Sequence, residues 1–138
     1  MTRNREDYEL MLVTDGTLYL GDHAEEYAVP KGAYLLMPPT PYQHGTKSAD
    51  CSFYWLHFGY HTERQDHATL PCFTQARPEH LQLPATGFLH SPERLLILMK
   101  QLQDSDKRYK SNVLNDYLCG AILAELDAQC RHSSKKES

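Results

Sequence analysis

The chain has 138 residues, 41% of them hydrophobic, with a formal net charge of −4 and a pI near 6.0. That length supports one compact domain with its own core rather than two. The acidic balance, with no basic run beyond Lys135-Lys136, excludes an electrostatic footprint for DNA or RNA on this segment. Arg3, Arg5, Glu6 and Asp7 stand where a secretory leader needs an apolar run, and no apolar stretch approaches membrane-spanning length, so the expected location is the cytoplasm. Cys51, Cys72, Cys119 and Cys130 form no Cys-x-x-Cys pair and read as free, space-filling thiols in a reducing compartment.

Residues 8–14 are mostly apolar on both faces, Leu10 and Leu12 against Met11 and Val13, as in a barrel strand covered inside and out. Asp15-Gly16 suits a type I′ turn, with residues 17–20 returning as the second strand of a hairpin. Gly21-Asp22-His23 predicts the next turn and residues 25–29 a third strand. Pro30-Lys31-Gly32 reverses the chain, since proline presets φ and glycine takes the strained position. A fourth strand over 34–37 stops at Pro38-Pro39, which cannot donate ladder hydrogen bonds. A polar loop follows through Gln43, His44 and Gly45. The aromatic run 53–58 is strand-like, with Phe53, Trp55 and His57 on one face and Tyr54, Leu56 and Phe58 on the other. Strand segments recurring every 8 to 12 residues or so predict an antiparallel barrel or sandwich, whose mouth is the place to seek a function.

Pro71, Pro78 and Pro84 break the pattern over 59–90, where short strands are expected near 69–73 and 80–83. At residue 91 the period changes. Ser91 as N-cap, Pro92 at the first helical position and Glu93 in the first turn start a helix. Leu95, Leu98, Met99 and Leu102 share one face, and Asp104-Ser105-Asp106 interrupts the apolar pattern. A second helix is predicted over 112–129 with Leu114, Leu118, Ile122 and Leu126 at i,i+4 spacing, widened by Val113, Tyr117 and Ala121. Gly120 beside Ala121 would let another helix approach closely. Residues 131–138 are polar and linker-like. The expected fold is thus mostly β with C-terminal helices: a barrel over 1–90, a two-helix antiparallel hairpin over 91–130 and the start of a linker over 131–138.

The ordered set Arg5, Asp7-Tyr8-Glu9-Leu10, Val13, Asp15-Gly16-Thr17-Leu18, Glu26-Tyr27, Val29, Gly32, Leu35-Leu36, Pro38-Pro39, His44-Gly45 and Tyr54-Trp55-Leu56-His57-Phe58 resembles the N-terminal sensor domain of AraC-family transcription regulators. The match covers residues 3–58, and the two-helix segment fits that family's dimerisation region. The resemblance implies a cupin-like antiparallel β-barrel that binds a small effector, helices that pair subunits, and a linker to a helix-turn-helix domain absent from this chain. Many members carry an N-terminal arm that folds over the effector, whereas only Met1 and Thr2 precede Arg3 here.

Laid on the general cupin metal pattern, the chain keeps Glu9, Gly16, Gly32 and Pro38. It has Arg3 and Arg5 at the two histidine positions, Thr40 for a glycine and Gln43 at the last ligand, with His44 one place on. Arginine stays protonated and cannot ligate, and a carboxylate with one nearby imidazole falls short of three protein ligands. No metal and no cofactor are expected.

The ligand-binding candidates are therefore Arg3, Arg5, Glu9, Met11, Gln43, Trp55 and His57. Strand parity puts Arg3, Arg5, Glu9, Met11 and Val13 on one face, which allows an Arg5–Glu9 pair along one strand. The guanidinium fork holds carboxylates or paired hydroxyls. The resemblance implies that Trp55 stacks on a sugar, as in the arabinose-responsive member, and that Gln43 makes a polar contact. An apolar ring with a few convergent polar groups suits a sugar or polyol. Each residue has a structural alternative: Trp55 as core, His57 as a hydrogen-bonded core histidine, Arg5 and Glu9 as a structural pair. His23, His61, His67, His80, His90 and His132 read as exposed turn residues.

No Gly-x-Ser-x-Gly, Gly-x-Gly-x-x-Gly or His-Glu-x-x-His is present, which argues against an enzyme. The expectation is a sugar-sensing, dimerising module, with Leu95, Leu98, Leu102, Leu114, Tyr117, Leu118, Ala121 and Ile122 toward the barrel and a second copy in a two-fold homodimer. The alternative is a metal-independent cupin enzyme such as a sugar epimerase or isomerase, with His57 or His44 as base and a tyrosine as acid.

Overall fold

The computed structural model describes residues 3–5, 8–22, 25–38, 40–45, 50–58 and 83–137. Their elements in chain order are strands β1 (Arg3–Arg5), β2 (Tyr8–Gly21), β3 (Glu26–Pro30), β4 (Ala33–Met37), β5 (Thr40–Gly45), β6 (Cys51–Phe58) and β7 (Thr86–Phe88), then helices α1 (Pro92–Tyr109) and α2 (Asn112–Glu137). The strands as far as Leu56, with Pro84–Phe88, belong to one compact unit, and the two helices to a second.

The sheet is built around β2. Its first half pairs antiparallel with β4, Glu9 opposite Met37 and Leu12 opposite Tyr34. Its second half pairs with β3, Thr17 opposite Pro30 and Gly21 opposite Glu26, and its end also meets β5 at Leu20–Gly45 and Gly21–His44. β6 pairs with β2 as well, and the order along the main path is β1-β5-β2-β4-β7. One strand paired to four others makes the sheet curl.

The expected hairpin at Asp15-Gly16 is corrected: β2 runs through both residues as one 14-residue strand. A type I′ turn needs positive φ at both central residues, and only Gly16 has it, at 71°. Across Gly16 the inward-facing set changes parity. Met11 and Val13 line the apolar interior before it, Leu18 and Leu20 after it. A glycine in the left-handed region where the inward-facing set changes parity bends the strand and re-aims its side chains in the manner of a β-bulge. A Cβ at Gly16 would run into the Asp50 carbonyl oxygen and lie 3.0 Å from Cys51 Cα, so close backbone approach also requires glycine here.

The other turns follow the sequence. The Asp22 amide donates to Glu25 O (3.0 Å), and the Glu25 amide donates back to Asp22 Oδ1 (3.0 Å). Gly32 takes φ 85° between β3 and β4, its amide donating to Val13 O (2.9 Å). The polar loop expected through Gln43, His44 and Gly45 is strand β5 instead. The strands expected near 69–73 and 80–83 lie outside the described residues. β7 was not expected; it pairs with β4 from Ala33–Phe88 to Leu35–Thr86, supported by Tyr34 Oη donating to Pro84 O (2.8 Å) and Thr86 Oγ1 to Tyr34 O (2.6 Å).

In the helical unit α1 and α2 pack against each other. Leu95, Met99 and Leu102 are buried on α1, and Leu118, Ile122, Leu123 and Leu126 on α2, at helical spacing. Asp104-Ser105-Asp106 does not interrupt α1: Ser105 is buried, and the Asp106 carboxylate accepts from Asn115 Nδ2 at 2.8 Å. α1 ends at Lys110 in the left-handed conformation, its amide donating to Asp106 O (3.0 Å). Ser111 caps α2, Oγ accepting from the Leu114 amide at 3.1 Å. The 131–137 stretch, linker-like in composition, continues α2 as helix.

Ser91 differs from expectation in an instructive way. Its side chain makes no cap hydrogen bond. Instead the amide side chain of Gln129 on α2 accepts from the Ser91 amide and donates to the Ser91 carbonyl, both at 2.9 Å. Gln129 Nε2 also donates to Glu125 Oε2 (2.8 Å), and that carboxylate receives Arg94 Nε and Nη2 from α1 at 3.0 and 3.3 Å. This clasp ties the entry of α1 to α2.

Candidate functional site

The interior of the sheet is an apolar cluster of Met11, Val13, Val29, Ala33, Leu35 and Met37, flanked by Leu18, Leu20, Tyr27 and Phe53. Glu9 continues the Met11–Val13 face of β2 by strand alternation and is 4% exposed. A carboxylate so deeply desolvated requires compensating hydrogen bonds or a cation. It is the one charged side chain among the buried residues described.

Strand register assembles other candidates around β5. Arg3 lies opposite Gln43 and Arg5 opposite Thr40, so three residues of β1 span four of β5. The extra residue lies on β5. The reading of Arg5 and Glu9 along one strand is also corrected, because Arg5 ends β1 while Glu9 belongs to β2, which pairs with β4 there. β5 links the two strands, pairing with β1 at one end and with β2 at the other.

On β6, Phe53 packs against the apolar cluster, and Trp55, two residues on, is 51% exposed. The indole is therefore half exposed rather than buried in the core. His57 is half-buried, and Met11 belongs to the buried cluster rather than to an accessible surface. Two residues at the interior were not among the expected contacts: Tyr27 and Phe53. Their signal was the alternation of β3 and β6, which places Tyr27 with Val29 and Phe53 with Trp55. Burial raises the Tyr27 phenol above its ordinary value, with Glu25 and Asp22 adding to the shift, so it stays a neutral hydrogen-bond donor.

The expected pairing residues on the helices divide into two groups. Leu95, Leu102, Leu118 and Ile122 are buried within a single chain. Leu98, Leu114 and Ala121 are half-buried, and Tyr117 is 76% exposed. Val113 is exposed as well, as are Ala124 and Ala128, so α2 carries an outward row of apolar and small side chains at helical spacing. Among the described residues no group of three or more His, Cys, Asp or Glu is gathered within reach of one metal ion, and no helix is long and apolar enough to cross a membrane.

No family model matches the chain. Over 56 residues it is 39% identical to YisR of Bacillus subtilis (strain 168), an uncharacterised HTH-type transcriptional regulator. The likeness is to a regulator. It covers 39% of this chain and 20% of YisR, so the matched stretch spans about a fifth of that protein.

Proposed function

We propose that this chain is the effector-sensing and dimerisation part of an AraC-type transcription regulator, with a cupin-like receptacle for a small polar molecule, a sugar or polyol. The observation that carries the reading is the 39% identity to an HTH-type regulator, in a chain whose acidic balance leaves DNA contact to another domain. The chemistry of the sheet supports it. A buried carboxylate, Glu9, adjoins an apolar interior, an exposed indole, Trp55, offers a stacking face, and Arg3 stands opposite Gln43 on paired strands. The guest would bind one arrangement of the protein better than another, since only differential affinity shifts a regulatory equilibrium, by about 1–3 kcal/mol in typical cases. Two copies would pair through the outward row of α2, with Val113, Tyr117 and Ala121 at its centre.

The test is a thermal-shift screen of the chain over pentoses, hexoses, polyols and small carboxylates. A true guest raises Tm by mass action, and Glu9→Gln or Trp55→Ala abolishes the rise while the variant still melts cooperatively. If no sugar or polyol stabilises the chain, or a stabilising one does so equally in both variants, the receptacle is not here. The pairing of subunits is read separately, by sedimentation equilibrium.

A further inference from the structure

His90 and His132 stand in the helical unit. The two rings meet edge-on with centroids 6.2 Å apart, at an interplanar angle of 61°. His90 immediately precedes Ser91, and His132 lies three residues after Gln129 on α2. The double hydrogen bond between the Gln129 side chain and the Ser91 backbone therefore fixes the chain beside both histidines. We propose that His90 and His132 form a two-histidine site for a borderline divalent cation of the Zn2+ or Cu2+ class, bridging the entry of α1 to the later turns of α2.

Both residues are exposed, so a cation can reach the rings from solvent. Metal–nitrogen bonds of about 2.0–2.1 Å put two nitrogens on one tetrahedral ion roughly 3.4 Å apart, with ring centres near 5 Å. The observed centroid separation of 6.2 Å is about an ångström wider, so the proposed site requires the two surface rings to turn toward a shared ion. Among the described residues the nearby arginines are each paired with a carboxylate: Arg94 with Glu125 at 3.0 Å and Arg131 with Asp127 at 2.8 Å. Two protein ligands leave the other positions to water, which makes the cation exchangeable rather than a permanent part of the fold. Imidazole nitrogen suits Zn2+ and Cu2+ and gives no purchase to Mg2+ or Ca2+. The proposal does not depend on the regulator reading.

The experiment titrates the whole chain with Cu2+, followed by electron paramagnetic resonance, and with Zn2+, followed by thermal shift. In the unaltered chain the Cu2+ spectrum shows two coordinated nitrogens, and Zn2+ raises Tm. H90A and H132A each weaken Cu2+ binding about tenfold or more, the least expected when a partner of a metal site is removed. His90→Gln and His132→Gln, which keep size and polarity, serve where an alanine variant folds poorly. The proposal is overturned if the double variant keeps the Zn2+ stabilisation, if Mg2+ stabilises equally, or if the Cu2+ spectrum shows one nitrogen, which would leave only an edge-on ring contact and adventitious binding at another histidine.

Discussion

In the sheet, β2 is buried on both faces from Glu9 to Val13, with Leu10 and Leu12 opposite Leu36 and Tyr34 on one side and Met11 opposite Leu35 on the other. In the helical pair each helix buries one seam, and the outer face of α2 keeps Val113 and Tyr117 exposed at 68% and 76%. Apolar packing on two faces leaves the sheet little room to relax, whereas the helices share a single seam and are joined at one end by the polar clasp. Damage to the sheet should therefore cost more than equal damage to the clasp, and the outer face of α2 should cost nothing in folding at all.

The largest expected effect is Leu35→Ala, which empties a fully buried position between β2 and β7 and should lower unfolding free energy by about 2–5 kcal/mol in urea denaturation. Gly16→Ala should follow at about 3 kcal/mol, combining left-handed strain with displacement of the Asp50 backbone. Equal stability of that variant would mean that the bend is not rigid. Gln129→Ala strips two hydrogen bonds from Ser91 and should cost about 1–3 kcal/mol, with faster amide exchange confined to the first turn of α1.

Smaller still is the acid sensitivity of the clasp. The Arg94 guanidinium, hydrogen-bonded to Glu125, holds that carboxyl below its ordinary value, with Gln129 lowering it further against the opposing effect of burial. A depressed folded value means that the contribution is present above the unfolded carboxylate pKa of about 4.3 and is lost as pH falls through the folded one. Glu125→Gln should differ from the unaltered protein in thermal stability at pH 7 and converge with it toward pH 3. The smallest effect is Tyr117→Glu, within about 0.5 kcal/mol of no change in stability, while weakening self-association in sedimentation equilibrium if α2 is the pairing face.

Much of this contrast could be read from the residues. The apolar runs of β2 and β4, the Lys31-Gly32 reversal and the Leu118–Ile122–Leu126 seam follow from local pattern, because burial on one or both faces leaves a period in the sequence. What could not be read depends on partners distant in sequence. Asp15-Gly16 has the composition of a hairpin, and only the approach of Asp50, 34 positions on, makes it a bend within a strand. β5 is polar and opens on Thr40-Pro41, so its pairing with β1 and β2 leaves no alternating signature. Ser91 looks like a self-sufficient cap, but Gln129 satisfies its backbone from 38 residues away. In the candidate site, the residue types at Glu9 and Trp55 were visible from the start. The division of Arg3 and Arg5 from Glu9 onto separate strands was not, since β1 takes β5 as its partner while β2 at Glu9 takes β4, and both partners lie far along the chain.

Gly16 has one further consequence for how this protein tolerates change in chain length. Because Val13 and Leu18 both look inward across an odd spacing, the segment between them works as a phase shifter for the remainder of β2. Removing or adding one residue there would turn Leu18 and Leu20 outward and bring Thr17 and Tyr19 to the interior, while a change of two would restore the original facing. Length variation at this bend is thus quantised in pairs, a constraint that ordinary surface connections do not share.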